Sequence, residues 1–275
     1  MERLGSREIT LAKIGTPEMD RYLKDNPGQE GLFLRGIPSY VLNEIAPIFQ
    51  KINYRSAQDL VLFDVGANHG VWTGAFLSVA GHKTARAELF EPLPGNQQTI
   101  AEQKDRGLYG EHASKVTVNP HGISNEAAKV TIHFDTERSG FASMASDVCH
   151  LPSRNVELKN TIDVDVFTID EVCAKKGIKA IDVLKIDIEG FELFALQGAD
   201  GMFGNRAVDV CLFEFGPHQL AHRHIFKDFY EFFTSRGYDL YKYRIGGAAL
   251  IPITEYMSTY EMFDRVSMFL AHRKP

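Results

Sequence analysis

The run Ile181–Gly190, IDVLKIDIEG, places Lys185, Asp187 and Glu189 at every second position, with Leu184, Ile186 and Ile188 between them. In an extended chain alternate side chains share a face, so three charges line one side of an otherwise apolar strand. A parallel strand covered on both faces is normally apolar throughout, and charges on it must be paired or open into a cleft. A self-satisfying ion network is one reading. Acid–base chemistry is the other, because sheets of this kind place reactive groups at the carboxyl ends of their strands. Glu214, in the run CLFEFGPH that ends at His218, repeats the device on a second apolar stretch. If those two strands are neighbours, Asp187 and Glu214 face one cleft. Asp187 is then the leading candidate for a general base, with Glu214 or His218 assisting, and Lys185 and Glu189 adjoin the substrate. Asp187 and Glu214 are also the pair that a hard cation such as Mg²⁺ would select. His218, His222 and His224 offer a different metal set, since a 218/222 spacing puts two imidazoles on one α-helical face. Pro217 weakens it, and a solvated helix start is the simpler reading.

A second constellation precedes the first. Phe63–Gly70, FDVGANHG, ends an apolar run and opens a helical pattern. A dinucleotide fingerprint would carry glycine where Asn68 stands, and no Lys-Ser/Thr pair follows, so pyrophosphate binding and a phosphate-cradling loop are both disfavoured. Glu91, in LFEP, ends the next strand and is placed to accept the hydroxyl protons of a ribose. A ligand with a ribose and no pyrophosphate points to S-adenosylmethionine. On that reading Asp64 attracts the ammonium of the ligand, and backbone N–H groups of Gly66, Ala67, Asn68 and Gly70 take its carboxylate. Pro92 adjoins Glu91 in the same wall.

These residues need elements to position them. Apolar runs at 61–63, 87–90, 116–118, 181–188 and 208–215 alternate with helical patterns at 72–80, 94–104 and 191–199. That order implies a mostly parallel sheet with helices on both faces. Stretches at 130–134, 238–243 and 266–271 alternate with period two and read as added antiparallel strands. Val41, Ile45, Ile48 and Ile52 recur at helical spacing, with a kink or a new helix expected at Pro47. Residues 1–57 read as a helical extension, with a turn at 25–28, and 58–275 as the main domain. The segment 139–160 has no period and is rich in small polar residues, Ser143 among them. It is expected to be a long loop that closes over the cleft as a lid.

Composition sets the outer bounds. The 275 residues carry a net charge of −6, with 44% hydrophobic and 24% charged residues. An acidic balance argues against a general nucleic-acid partner. Cys149, Cys173 and Cys211 are odd in number and form no close pair, which favours a reducing compartment over a disulfide framework. No secretory leader and no membrane span is expected, and the cytoplasm is the expected location. Phe226, Phe229, Tyr230 and Phe233 form an aromatic stripe at helical spacing, read as core rather than as a base-stacking surface. The sequence leaves oligomeric state open.

Taken in order, FDVGANHG, FEPLP from Phe90, VFTIDE from Val166, DVLKIDIEGFE from Asp182, the QGA around Gly198, LFE from Leu212, RGYDLY from Arg236 and FLAHR from Phe269 resemble the FkbM-type S-adenosylmethionine-dependent methyltransferases. The resemblance runs from about Val61 to the end of the chain. It implies a Rossmann-like α/β methyltransferase fold, a mostly parallel twisted sheet with an antiparallel last strand. It implies O-methylation of a small-molecule or glycan acceptor, such as a sugar or a glycosylated polyketide. Asp64, Gly66, Asn68 and Glu91 become cofactor contacts, and Asp187 and Glu189 border the reaction centre. The HGISN run, with Gly122, falls near the adenine. A cofactor-binding module without catalysis, or more distantly a nicotinamide oxidoreductase, are the alternatives.

Overall fold

The computed structural model describes residues 39–52, 60–80, 84–145, 157–244 and 249–275. The turn expected at 25–28, the rest of 1–38, and the 57/58 boundary lie outside them, as do Cys149 and the middle of the 139–160 segment.

Five parallel strands make up one side of an eight-stranded sheet: β1 (Leu60–Val65), β2 (Thr84–Phe90), β3 (Val116–Asn119), β8 (Ile181–Ile186) and β9 (Val208–Phe215). With β10 at Tyr238–Tyr243, β11 at Leu250–Ile253 and β12 at Ser267–Arg273, the full order is β11-β10-β12-β9-β8-β1-β2-β3. Strand β12 runs antiparallel between β9 and β10, as the alternating pattern near the end of the chain implies. Because β1 lies between β2 and β8, the loop after β1 sits where the strand order reverses, the ligand-binding crevice of such sheets.

The helices are α1 (Ser39–Lys51), α2 (Val71–Ala80), α3 (Pro94–Asp105), α4 (Ile169–Lys176), α5 (Glu192–Gln197), α6 (Asp200–Gly204) and α7 (Phe226–Ser235). Two apolar layers cover the sheet. One packs α7 through Phe226, Phe229 and Phe233 on Phe213, Phe215 and Phe269. The aromatic stripe is therefore core, as expected, and the rings of Phe213 and Phe229 stack with centroids 5.3 Å apart. The other layer holds α2 together with α1. Phe49 stacks on Phe76 and Trp72 on Phe76, with centroids 5.0 and 5.6 Å apart. Helix α1 runs through Pro47 as one element rather than breaking there. Burying Val41, Ile45, Ile48 and Phe49 outweighs the loss of one helical hydrogen bond.

A second sheet departs from the expected layout. Strands β4 (Gly122–Ile123), β5 (Ala128–Phe134), β6 (Ala142–Ser143) and β7 (Asn160–Phe167) pair in the order β4-β7-β5-β6. The period-two run around Val130 belongs here and not to the main sheet. Near the start of the segment expected as a lid, Ala142–Ser143 form β6, paired to His133 and Phe134. Among the described residues no helix is long and apolar enough to cross a membrane.

Candidate functional site

At the carboxyl ends of β1, β2 and β8 a cavity is lined by Gly66, Asn68, Glu91, Ser143, Asp187 and Glu189, among others. Apolar walls come from Phe90, Ile123, Ile132 and Val166, and Pro92 and Gly122 adjoin them. His121 packs its ring between Phe90 and Phe167, at 5.5 and 4.8 Å, and holds Gly122 in that wall.

The glycine loop is closed on itself. Gly66 and Ala67 donate their N–H groups to the Phe90 carbonyl at 3.0 and 3.1 Å, and Gly70 donates to Ala67 at 2.7 Å. The Asn68 N–H goes to Glu91 Oε2 at 2.8 Å. None of these four donors is left for a ligand carboxylate, which corrects the expectation placed on them. The glycines answer to packing: a Cβ on Gly66 would lie 1.9 Å from the Asp187 carbonyl oxygen, and one on Gly70 2.0 Å from the Tyr109 hydroxyl. Both have positive φ, +79° and +73°. Ala67 is buried and does not line the cavity.

Glu91 does line it. Its carboxylate accepts from Leu93 N–H at 3.0 Å and from the Asn96 amide at 3.3 Å as well as from Asn68. Burial pushes its pKa up to about 7, against the pull of those three donors. A carboxylate offers about four lone-pair positions, so about one remains for a ligand hydroxyl. Asn68 Oδ1 and Asn96 Oδ1 are buried at the same wall without a hydrogen-bond partner among the described residues.

Beneath the loop lies an ion network. Asp64 stands opposite Lys185 in the β1–β8 register, and Lys185 Nζ is 3.2 Å from Asp64 and 3.3 Å from Asp187. Asp64 is 0% exposed, accepts from the Thr73 hydroxyl at 2.6 Å and does not line the cavity. Lys185 is 4% exposed. Burial disfavours its charge, but the Asp187 and Asp64 carboxylates outweigh that and hold it above the ordinary lysine range. The structure therefore corrects two expectations: Asp64 does not reach a ligand ammonium, and Lys185 positions Asp187 instead of touching substrate. Glu44, from α1, joins the network; it accepts from Trp72 Nε1 at 3.1 Å, and burial and then Asp187 raise its pKa to about 7.

After β8 the chain turns through Glu189 and Gly190, both at positive φ, +52° and +111°. Glu192, at the start of α5, staples this turn by accepting from Ile188 N–H at 2.9 Å and Gly190 N–H at 3.0 Å. Gln219 donates to the same carboxylate. Ser143 Oγ donates to the Glu189 carbonyl at 2.9 Å, and the Asn96 amide reaches the Ser139 carbonyl at 3.0 Å. Residues 139–144 thus form a wall against Asn68, Asn96 and the charged strand end, while 146–156, the middle of the segment expected as a lid, lie outside the described residues.

Asp187 and Glu214 do converge: oxygens of Asp187, Glu192 and Glu214 all lie within 4.8 Å of one another. Burial, then the charges of Asp187, Glu189 and Glu192, push Glu214 well above the usual carboxylate range. His218 places Nε2 3.7 Å from Glu214 and 3.8 Å from Glu192. It sits in a 3₁₀ turn, Pro217–His222, where residues four apart do not share a face. His222 accordingly packs edge-on against Phe191, at 4.2 Å, and the histidine metal set does not form. Sequence reasoning misses Glu44, Asn96 and Glu192. A lone acid inside the apolar face of α1 is the available signal for Glu44; the other two give none without the turn geometry.

The sequence profile described as "Methyltransferase FkbM domain" matches residues 64–240. A curated protein of Beauveria bassiana (strain ARSEF 2860), "Methyltransferase 1", is 24% identical over 168 residues, spanning 56% of this chain and 65% of that one. The crystal structure of "Methyltransferase FkbM" from Methylobacillus flagellatus KT superposes with a TM-score of 0.51 at 16% identity, over 92% of this chain and 60% of the other. The chain thus spans less than two thirds of either relative, and the structural likeness speaks for the fold. The matched stretch takes in the glycine loop, Glu91 and the charged strand, and the chain belongs to the methyltransferase FkbM domain family.

Proposed function

We propose that this chain transfers a methyl group from S-adenosylmethionine to a hydroxyl oxygen of a sugar, glycoconjugate or glycosylated polyketide. The observation that carries the reading is one cavity with buried Glu91 in one wall and Asp187 and Glu189 in another. Bound S-adenosylmethionine supplies a sulfonium-activated methyl group. Glu91 accepts from a ribose hydroxyl with its remaining lone pair, and the unpartnered oxygens of Asn68 and Asn96 accept further ligand donors. Phe90, Ile123 and Val166 enclose the adenine in apolar surface.

Asp187 would take the acceptor's hydroxyl proton as that oxygen receives the methyl group that bound S-adenosylmethionine would supply. Lys185 holds that carboxylate in place, so positioning supplies a large share of the rate. Glu214, pushed well above the usual carboxylate range by burial and then by the charges of Asp187, Glu189 and Glu192, stands beside Asp187 and helps to orient the acceptor.

Calorimetric titration with S-adenosylhomocysteine, and labelled methyl transfer across a panel of nucleotide sugars, glycans and glycosylated polyketides, test the proposal. Asp187→Asn is expected to lower kcat by about 10²- to 10⁴-fold while leaving S-adenosylhomocysteine affinity within a few-fold of wild type. Equal losses in both would remove Asp187 as the base. Tight NADH binding without a response to S-adenosylhomocysteine would overturn the whole reading.

A further inference from the structure

We propose that Glu189, Glu214 and His218 form a binding site for a divalent first-row transition-metal cation beside the cavity, which Glu189 lines. One ligand atom from each of these three residues lies within 4.8 Å of the other two, and His218 Nε2 stands 3.7 Å from Glu214 Oε2. Metal–ligand bonds of about 2.1 Å separate neighbouring donor atoms by roughly 3 to 3.5 Å, so small side-chain rotations close the set.

A group of acids alone would not point to a cation; the histidine does. His218 is 3% exposed, and its Nε2 has no hydrogen-bond partner among the described residues although it is aimed between carboxylates. A buried ring nitrogen left in this way carries a desolvation cost that a metal bond would offset. Its backbone carbonyl packs against the Glu189–Gly190 turn, where a Cβ on Gly190 would lie 2.9 Å from it, so the His218 backbone and the turn are held close together. Positive φ at Glu189 directs that side chain away from the strand and into the cavity wall. The side chain of Glu214 keeps 15% exposure, which leaves a route for an ion.

The donor chemistry selects the ion. Two carboxylates with one imidazole suit Mn²⁺, Fe²⁺ or Zn²⁺ better than Mg²⁺, which prefers oxygen ligands. The all-oxygen set of Asp187, Glu192 and Glu214 is less able to serve. Glu192 is committed to three donors across the turn, and Asp187 is held by Lys185. A cation at the proposed site would polarise an acceptor hydroxyl brought beside Asp187. That role rests on the proposed methyl transfer; the site itself does not.

The test uses the full chain, dialysed against EDTA and then titrated with MnCl₂, with free Mn²⁺ followed by electron paramagnetic resonance. One Mn²⁺ per chain is expected, with nitrogen coupling from a single imidazole in the pulsed spectrum. His218→Ala is expected to abolish that coupling and weaken binding at least about tenfold, and Glu189→Gln to weaken it similarly with the coupling kept. Binding weaker than about 1 mM, binding without nitrogen coupling, or affinity unchanged in both variants would overturn the site. The wild-type coupling and Glu189→Gln decide the matter even if His218→Ala fails to fold. S-adenosylhomocysteine titrated into the same samples separates the two proposals: cofactor binding without Mn²⁺ defeats only the cation site, and Mn²⁺ binding without cofactor defeats only the methyl-transfer reading.

Discussion

Glu91 lines the cavity at the end of β2. It ends a strand between apolar neighbours, and from that alone it reads as an acceptor for a ribose. The structure adds what the sequence could not: three internal donors converge on its carboxylate, and burial raises its pKa to about 7. Ligand hydroxyls donate best to the ionised form, which prevails above that pH. S-adenosylhomocysteine affinity is therefore expected to weaken as pH falls from about 8 to about 6. Glu91→Gln should be flat across that range and about tenfold weaker at the upper end, the loss of one hydrogen bond to a charged acceptor. Calorimetry across that pH range checks both, and an unaltered pH slope in the variant would take Glu91 out of the site. Lys185 and Asp64 show the opposite case. Their types suit chemistry, but they lie on different strands far apart in the chain, and only register makes them an internal pair.

At the scale of elements, the long apolar strands are legible because burial on both faces writes a continuous hydrophobic run. Strand β9 and strand β10 fall where the patterns place them. Two-residue strands such as β4 and β6 carry no period at all, so the small sheet that walls the cavity leaves little mark in the sequence. The β1 loop is legible as a tight turn, but the task of its glycines is not. Gly66 lets the loop lie against the end of β8, with its missing Cβ leaving room for the Asp187 carbonyl. Gly66→Ala adds a clash to the cost of a left-handed backbone and is expected to destabilise by about 2–5 kcal/mol. Gly107 has a similar φ, +86°, but a Cβ there would meet nothing within 4 Å. Gly107→Ala should therefore cost only about 1–2 kcal/mol. Urea denaturation of both variants isolates the close approach; equal losses would mean that backbone conformation alone accounts for Gly66.

For the molecule as a whole, α1 does more than extend the chain, because it carries Glu44 over the main sheet and into the field of Lys185, Asp187 and Asp64. Its apolar face is readable, since the spacing of Val41, Ile45 and Ile48 needs no tertiary information. That the helix covers the ion network beneath the cavity is not, because the chain between α1 and β1 encodes no direction of docking. Tyr243 fixes the docking from β10 by donating to the Glu44 carbonyl at 2.7 Å. Burial raises the Glu44 carboxyl from 4.5 to about 7, so the folded protein binds this proton more tightly than the unfolded chain. The sign follows: this contribution to stability is full below pH 4.5 and is lost as pH rises to about 7. Its whole span is about 3 kcal/mol. Glu44→Gln keeps an acceptor for Trp72 and carries no charge. It is therefore expected to match wild type near pH ~5 and to be more stable by about 1–3 kcal/mol at pH ~8. Chemical denaturation at the two pH values measures the difference. A variant equally or less stable than wild type at the higher pH would show that Lys185 compensates the Glu44 charge in full, and that α1 is held over the network by an ion pair instead of by its apolar face alone.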